Sequence, residues 1–379
     1  MRFTEKASTA APLWAQYRDQ FPVTEHLTYL NHAAVTPLCR PCAEAMKRLA
    51  DDACDYGSFH YDQWLEAYQG LRVAAARLTH AQPGEMAIVK NTSEGIATVA
   101  LGIDWRPGDK VVGFQEEFPA NYYPWQRLEA KGVRVEWLSV SDPLDRIDEA
   151  CKGARLLAIS FVQYISGYRA DLRAIGEICR RRGCFFFVDA IQGLGAFPID
   201  VEAAHIDALA ADGHKWMLGP EGCAVLYVRK SRQDEIDPVE FGYTNVAAAD
   251  YSVRDMTLRQ DAGRYEPGTL NTIGIFGLRA AIEFILDIGV DRIAPQVQSL
   301  GDQIHQGVVR KGYDVLGCRT PETGAGIVSF RKPGQDVAAM HQRLKEQGMV
   351  VAPRGGWIRT SPHFYISPDD IDRFLEALP

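Results

Sequence analysis

The run Cys184-Phe-Phe-Phe-Val188 ends in Asp189. Five consecutive apolar residues of this kind read as a buried strand. A carboxylate placed directly after such a run is costly unless a cation or a set of donors meets it. The chain must therefore carry an acid at the carboxyl end of an interior strand. Comparable short runs recur at 110–114, 133–140, 154–162, 206–211 and 224–229. Helical segments lie between them, at 91–102 (entered through Asn91, Thr92 and Ser93) and at 172–182, ending near Gly183. Strands separated by helices of this length predict an α/β fold with a mostly parallel sheet.

The pattern changes near Gly268. Helices are expected at 274–288, 297–311 and 335–347, and strands at 326–330, 349–353 and 358–364. A last helix is capped by Ser367-Pro368-Asp369-Asp370. The expected organisation is a large domain, 22–268, and a smaller α+β domain, 269–379. An N-terminal arm, 1–21, is expected to pack on the smaller one. With 379 residues, 46% of them apolar, the chain can bury a core of this size.

Composition excludes several classes. The net charge of −8 gives no reason to expect nucleic acid as a partner. The N-terminus shows no apolar run with a small-residue cleavage site, and no stretch approaches a spanning helix, so a cytoplasmic protein without a membrane partner is expected. Eight cysteines in a chain this long are not a disulfide framework. Cys39-Arg-Pro-Cys42 lacks a second pair, and Cys179 and Cys184 show no ligand partners nearby, so no metal site is expected. Gly193-Leu-Gly195 follows a strand, but Pro198 stands where the dinucleotide fingerprint needs its third glycine. No phosphate-binding loop of the G-x-x-x-x-G-K type, zinc-protease motif or nucleophile elbow occurs.

What remains is Asp189 and, 26 residues on, Lys215 in Gly213-His214-Lys215-Trp216. Asp at a strand end serves as a helix N-cap as readily as a functional carboxylate. A lone lysine is ordinarily a solvated charge, whereas one walled by Trp216, Met217 and Leu218 is desolvated and has a lowered pKa. Together a strand-end Asp and a buried Lys suit pyridoxal phosphate. The acid would keep the pyridine nitrogen protonated, and the lysine would hold the aldehyde and carry the substrate Cα proton.

The D-x-x-Q and G-H-K-W motifs resemble the class V aminotransferases of pyridoxal-phosphate fold type I, a group that includes cysteine desulfurases, kynureninases and isopenicillin N epimerases. The similarity runs from Tyr29-Leu30-Asn31-His32-Ala33-Ala34 to Tyr365. It implies a large domain with a mostly parallel mixed sheet and a smaller C-terminal domain. It makes Lys215 the Schiff-base lysine, Asp189 the pyridinium partner, Gln192 the donor to the ring oxygen and His214 a catalytic neighbour near the phosphate. Thr92, Ser93, Glu94 and Gly95 match the phosphate-binding turn, a role that free N–H groups at a helix start also favour. Phe118 matches the segment covering the ring face, with plain core as its alternative. Asn31, His32 and Arg359 are implied substrate contacts, Arg359 gripping a carboxylate. Thr269, in Arg264-Tyr-Glu-Pro-Gly-Thr269-Leu-Asn271, is implied to reach the phosphate of a neighbouring subunit, hence a homodimer with its active site at the interface.

Two departures stand out. Asp212 occupies a position where several relatives carry a phosphate-binding Ser, so it must point elsewhere or pair with a cation. Gly348–Arg359 holds no cysteine, which disfavours a persulfide-forming desulfurase. The leading expectation is an aminotransferase acting on an amino acid. A C–S lyase of desulfurase type, an epimerase and a non-catalytic binding module are the alternatives.

Overall fold

The computed structural model describes residues 11–248, 250, 252 and 254–379. Residues 1–10 of the expected arm lie outside them. Strand β1 (Thr28–Tyr29) stands apart from the main sheet. That sheet holds seven strands: β2 (Met86–Val89), β3 (Lys110–Phe114), β4 (Arg134–Leu138), β5 (Leu156–Ser160), β6 (Phe185–Asp189), β7 (Ala208–Asp212) and β8 (Ala224–Val228). Their order is β2-β8-β7-β6-β5-β3-β4. Only β8 runs against its neighbours β2 and β7; the other pairs are parallel. All five residues of β6, of β7 and of β8 are buried, as helical cover on both faces of a parallel sheet requires.

A second sheet contains β9 (Asp314–Val315), β10 (Val328–Arg331), β12 (Ala352–Arg354) and β13 (Trp357–Thr360), in the order β12-β13-β10-β9. Strand β11 (Met349–Val350) pairs in parallel with β1 instead. The single strand expected at 349–353 is therefore two. Val350 takes Tyr29 as its partner and Ala352 takes Arg359, and no one strand direction serves both. The helix expected from 297 begins seven residues earlier, at Val290. Pro295 argues against that extension, but Ile293 and Ala294 bury there and packing prevails.

Two close approaches set the helix positions. A Cβ on Gly95, in the helix Thr92–Gly102, would stand 2.8 Å from Ala210 Cβ on β7. A Cβ on Gly176, in the helix Leu172–Arg182, would stand 1.8 Å from Ala204 O. Both helices thus lie against the large domain more closely than any other residue would permit. No helix among the described residues is long and apolar enough to cross a membrane.

One expectation from the cysteines is overturned. Cys179 and Cys184 are not without partners, because the fold brings Cys151 to them. The three Sγ atoms lie within 4.8 Å of one another, all buried. The sequence separates Cys151 from Cys179 by a strand and most of a helix, so spacing could not reveal the contact.

The helix Leu13–Tyr17 runs into Arg18, which bonds Asp370 at 2.6 Å. Asp370 also receives Ser367 N at 2.9 Å and Ser367 Oγ at 2.7 Å, closing the capping box of the helix Pro368–Ala377. Burial raises the Asp370 pKa, but Arg18 and Ser367 outweigh it, and the net shift is downward. Its contribution to stability is then complete above the unfolded carboxyl value near 4 and is lost as pH falls through the lower folded value. Asp370→Asn should lower stability by about 1–3 kcal/mol at pH 7, read from the denaturant midpoint, and by less at pH 3.

Candidate functional site

The carboxyl ends of β5, β6 and β7 line up in register. Ser160 lies opposite Asp189, and Asp189 opposite Ala210. Asp212 follows two residues beyond on β7. These ends border a cleft of about 340 Å³ whose walls include Thr92, Phe118, Asp189, Lys215 and Arg359. Ligand crevices of open α/β sheets form at such strand ends.

Asp189 is 2% exposed and accepts a hydrogen bond from Ile191 N at 3.0 Å. Burial pushes its pKa up to about 6 against the pull of Ile191 N–H and Lys215. Lys215 is half-buried and lines the same cleft. Burial lowers its pKa to about 8, although Asp189 works in the opposite direction. Two opposite charges facing one desolvated space are thus both driven toward their neutral forms.

Lys215 sits on a tight loop. Gly219 N bonds Gly213 O at 2.9 Å, Gly213 N bonds Cys223 O at 3.0 Å, and Leu218 is held at φ +59°. A leucine in this region is strained, and its complete burial keeps it there. Trp216 Nε1 bonds Gln192 Oε1 at 3.0 Å, and Gln192 Nε2 donates to Ala33 O at 3.1 Å. Gln192 thereby ties the Lys215 loop to the N-terminal segment while still lining the cleft. Asp212 does pair with a basic group: its Oδ1 lies 2.9 Å from His214 Nδ1.

The helix Thr92–Gly102 opens onto the cleft. Asn91 Oδ1 accepts from Glu94 N at 2.9 Å, which leaves the first N–H groups of the helix for an anion. Thr92 Oγ1 is buried without a hydrogen-bond partner among the described residues. An orphaned hydroxyl beside a helix start fits a phosphate, and Asp189 opposite Lys215 fits a protonated ring nitrogen and an aldehyde. The residues present therefore suit pyridoxal phosphate.

Phe118 is 46% exposed, so it is not core. Its ring lies 5.9 Å from Lys215 Nζ and meets Tyr164 edge-on at 5.3 Å. Arg359, on β13, is 2% exposed and donates from Nη1 to Tyr164 O at 2.8 Å. Its Nε is buried with no partner, and no carboxylate pairs with it among the described residues. Burial, with Arg354 adding, lowers its pKa to about 10. A desolvated guanidinium without a counter-ion calls for an anionic ligand.

Several expected contacts lie elsewhere. His32 is fully buried, and both ring nitrogens are taken, by Ser361 O at 2.8 Å and by Tyr365 Oη at 2.6 Å. It clamps the 29–34 segment to 361–365 and has no atom left for substrate. Asn31 bridges Ser361 and does not line the cleft. Gly95 packs on Ala210 one turn inside its helix. Glu94 turns away to Lys90, 3.2 Å from its Nζ, as a carboxylate near a phosphate must. Thr269 lies in a separate depression with Lys90 and Glu94, where its Oγ1 is 3.1 Å from Tyr243 Oη.

Sequence reading also missed a group. Glu117 is 7% exposed, and its Oε1 accepts Ser160 N at 2.6 Å. Burial raises its pKa to about 7; the Ser160 hydroxyl resists, and Asp189 adds to the rise. A second protonatable carboxyl therefore stands behind Asp189. The available signal was Ser160 itself, a polar residue closing an apolar strand just as Asp189 does.

The family model described as Aminotransferase class-V matches residues 28–373. A probable cysteine desulfurase of Pyrococcus abyssi is 31% identical over 95% of this chain and 96% of its own length. An uncharacterized aminotransferase, YcbU, of Bacillus subtilis is 29% identical over 96% of both. Among solved structures, the apo cysteine desulfurase of Thermococcus onnurineus is 28% identical and superposes with a TM-score of 0.89 over 98% of each chain.

Because burial holds Lys215 near 8, its amine should become reactive through pH 8, where an ordinary lysine would need a pH above 10. Acylation of the cofactor-free protein, followed by peptide mass spectrometry, should show Lys215 half-maximally labelled near pH 8. Labelling that rises only above pH 10 would contradict the desolvated site.

Proposed function

Because this chain belongs to the class V aminotransferase family, we propose that it binds pyridoxal phosphate at Lys215 and transaminates an amino acid. One observation supports this most: Lys215 and the unpaired Arg359 share a single cleft, and no cysteine lines it. When bound, the cofactor supplies an electron sink for the charge that develops at the substrate Cα. Thr92 and Ser93 would hold its phosphate at the helix start, Asp189 would meet its ring nitrogen, and Phe118 would offer a π-face. Arg359 takes the substrate carboxylate and fixes Cα near Lys215. Lys215 Nζ, whose lowered pKa gives it a usable neutral fraction, would then take the Cα proton and carry it to the cofactor carbon instead of restoring it to Cα.

Transamination needs this one proton carrier and no sulfur acceptor. Arg354 and Trp357 are joined by Gly355 and Gly356, at φ +55° and +80°. Two such residues make a tight primed hairpin turn, which leaves no loop to carry a thiol into the cleft. Elimination at a C–S bond that leaves sulfur on a small product is the second reading. The names of the relatives favour it, and it also dispenses with an enzyme cysteine. The segment 264–271, placed away from the Lys215 cleft, supports the further reading that it serves the site of a second copy in a homodimer.

The purified protein should show a visible band that borohydride abolishes and that Lys215→Ala lacks. Incubation with a panel of amino acids should release oxo acids with stoichiometric transfer of the amine to an acceptor. Sulfide or persulfide from cysteine or cystine, without amine transfer, would favour the second reading; a colourless protein indifferent to pyridoxal phosphate would overturn both. Arg359→Gln should reduce kcat/KM by roughly 30- to 1,000-fold, from about 2–4 kcal/mol of lost charge-assisted binding, with the band retained.

A further inference from the structure

Cys151, Cys179 and Cys184 lie below the large sheet, at the amino ends of its parallel strands and thus at the opposite end from Lys215. Three elements deliver them. Cys151 closes the helix Leu144–Ala150, its N–H bonded to Ile147 O at 2.9 Å. Cys179 is in the last turn of the helix Leu172–Arg182. Gly183, at φ +65°, then reverses the chain, and Cys184 N bonds Cys179 O at 2.9 Å. This six-to-one bond is the Schellman closure of a helix, and it fixes the two cysteines on either side of one turn. The backbone therefore sets all three positions.

Buried cysteines often act only as small apolar side chains. Here all three sulfurs converge, although each has apolar neighbours to pack against. Sulfurs no more than 4.8 Å apart need shifts of about 0.6 Å each at most to reach the roughly 3.8 Å spacing of thiolates on a tetrahedral zinc. A cavity of about 310 Å³ reaches Cys179 and Cys184 from the surface. It offers a route in and space for a fourth ligand, either water or a mouth residue such as His205. Three thiolates on a divalent ion leave one net negative charge; Arg229 and Arg232 line the same cavity, together with Asp207, which pairs with both.

We propose that Cys151, Cys179 and Cys184 form a binding site for one thiophilic divalent cation, Zn²⁺, remote from the catalytic cleft. Binding joins three sulfurs to the ion and releases the thiol protons to solvent, with no change of oxidation state. The fourth, open position distinguishes the site from a closed four-thiolate knot.

The test uses the reduced, cofactor-loaded protein and Zn²⁺ alone as the probe. Dialysis followed by elemental analysis should find one Zn²⁺ per chain. Cys179→Ala and Cys151→Ala should weaken binding at least tenfold, whereas Cys54→Ala, at an exposed position elsewhere, should not. Zn²⁺ should raise the Tm of the unaltered protein but not that of Cys179→Ala. If the variants fail to fold, the Co²⁺ form of the unaltered protein decides: it should show sulfur-to-metal charge transfer of the intensity of three thiolates. The proposal is overturned if the unaltered protein binds no Zn²⁺ under reductant, if the variants retain it, if Co²⁺ gives no such band, or if peptide mapping finds Cys179 and Cys184 joined as a disulfide in the protein as isolated.

Discussion

Everything at the cleft depends on two opposite charges that share a desolvated space. Asp189 closes a strand whose every residue is buried, and Lys215 faces it from a loop walled by Trp216 and Leu218. Neither can be fully charged at no cost, so burial lifts one pKa to about 6 and lowers the other to about 8. In bulk water the same pair would be an inert acid and an inert ammonium. Within the fold, the lysine loses its proton well below the pH that an ordinary lysine needs, and the acid is placed to meet a protonated nitrogen. The chemistry is thus a consequence of where the sheet ends, because only a strand buried on both faces can hold a carboxylate so dry.

The scaffold answers that demand by fixing distances through backbone rather than side chains. Register sets Ser160, Asp189 and Ala210 side by side on adjacent strands, and Asp212, two residues further, lies beside His214. Gly95 lets the helix Thr92–Gly102 lie against Ala210, so the helix start and the Asp189 carboxylate belong to one layer. Gln192 joins that layer to Ala33 and to Trp216. A shift in any of these would move the lysine relative to the acid.

Local pattern made the βα order legible. The helix Leu172–Arg182 was readable to the residue, because Asp171 caps its start and Gly183 takes the left-handed position at its end. Asp189 and Lys215 were legible for a different reason: a charge beside an apolar run is a visible contradiction that only partners resolve. His32 misled because the resemblance makes it a substrate contact, yet both its nitrogens are spent on residues more than 300 positions away. Glu117 and the cysteine triad were hidden for the same cause. Each is made by strand register or helix packing between distant segments; the triad leaves no trace in spacing, and Glu117 only the polar Ser160 at a strand end.

Arg359 shows how the second sheet enters the chemistry. Its strand belongs to that sheet, yet its guanidinium rests on Tyr164 O, just past β5 of the first. On the neighbouring strand β10, Ser329, opposite Arg359 in register, sends its hydroxyl to Ile165 O. Two adjacent carbonyls of the turn that follows β5 thus receive two adjacent strands of the small sheet. Below them His32 bonds both Ser361 and Tyr365, so the same seam is clamped from the N-terminal segment. The buried guanidinium that has no carboxylate partner among the described residues therefore sits at the joint between the two sheets, held there through a backbone carbonyl rather than an acid.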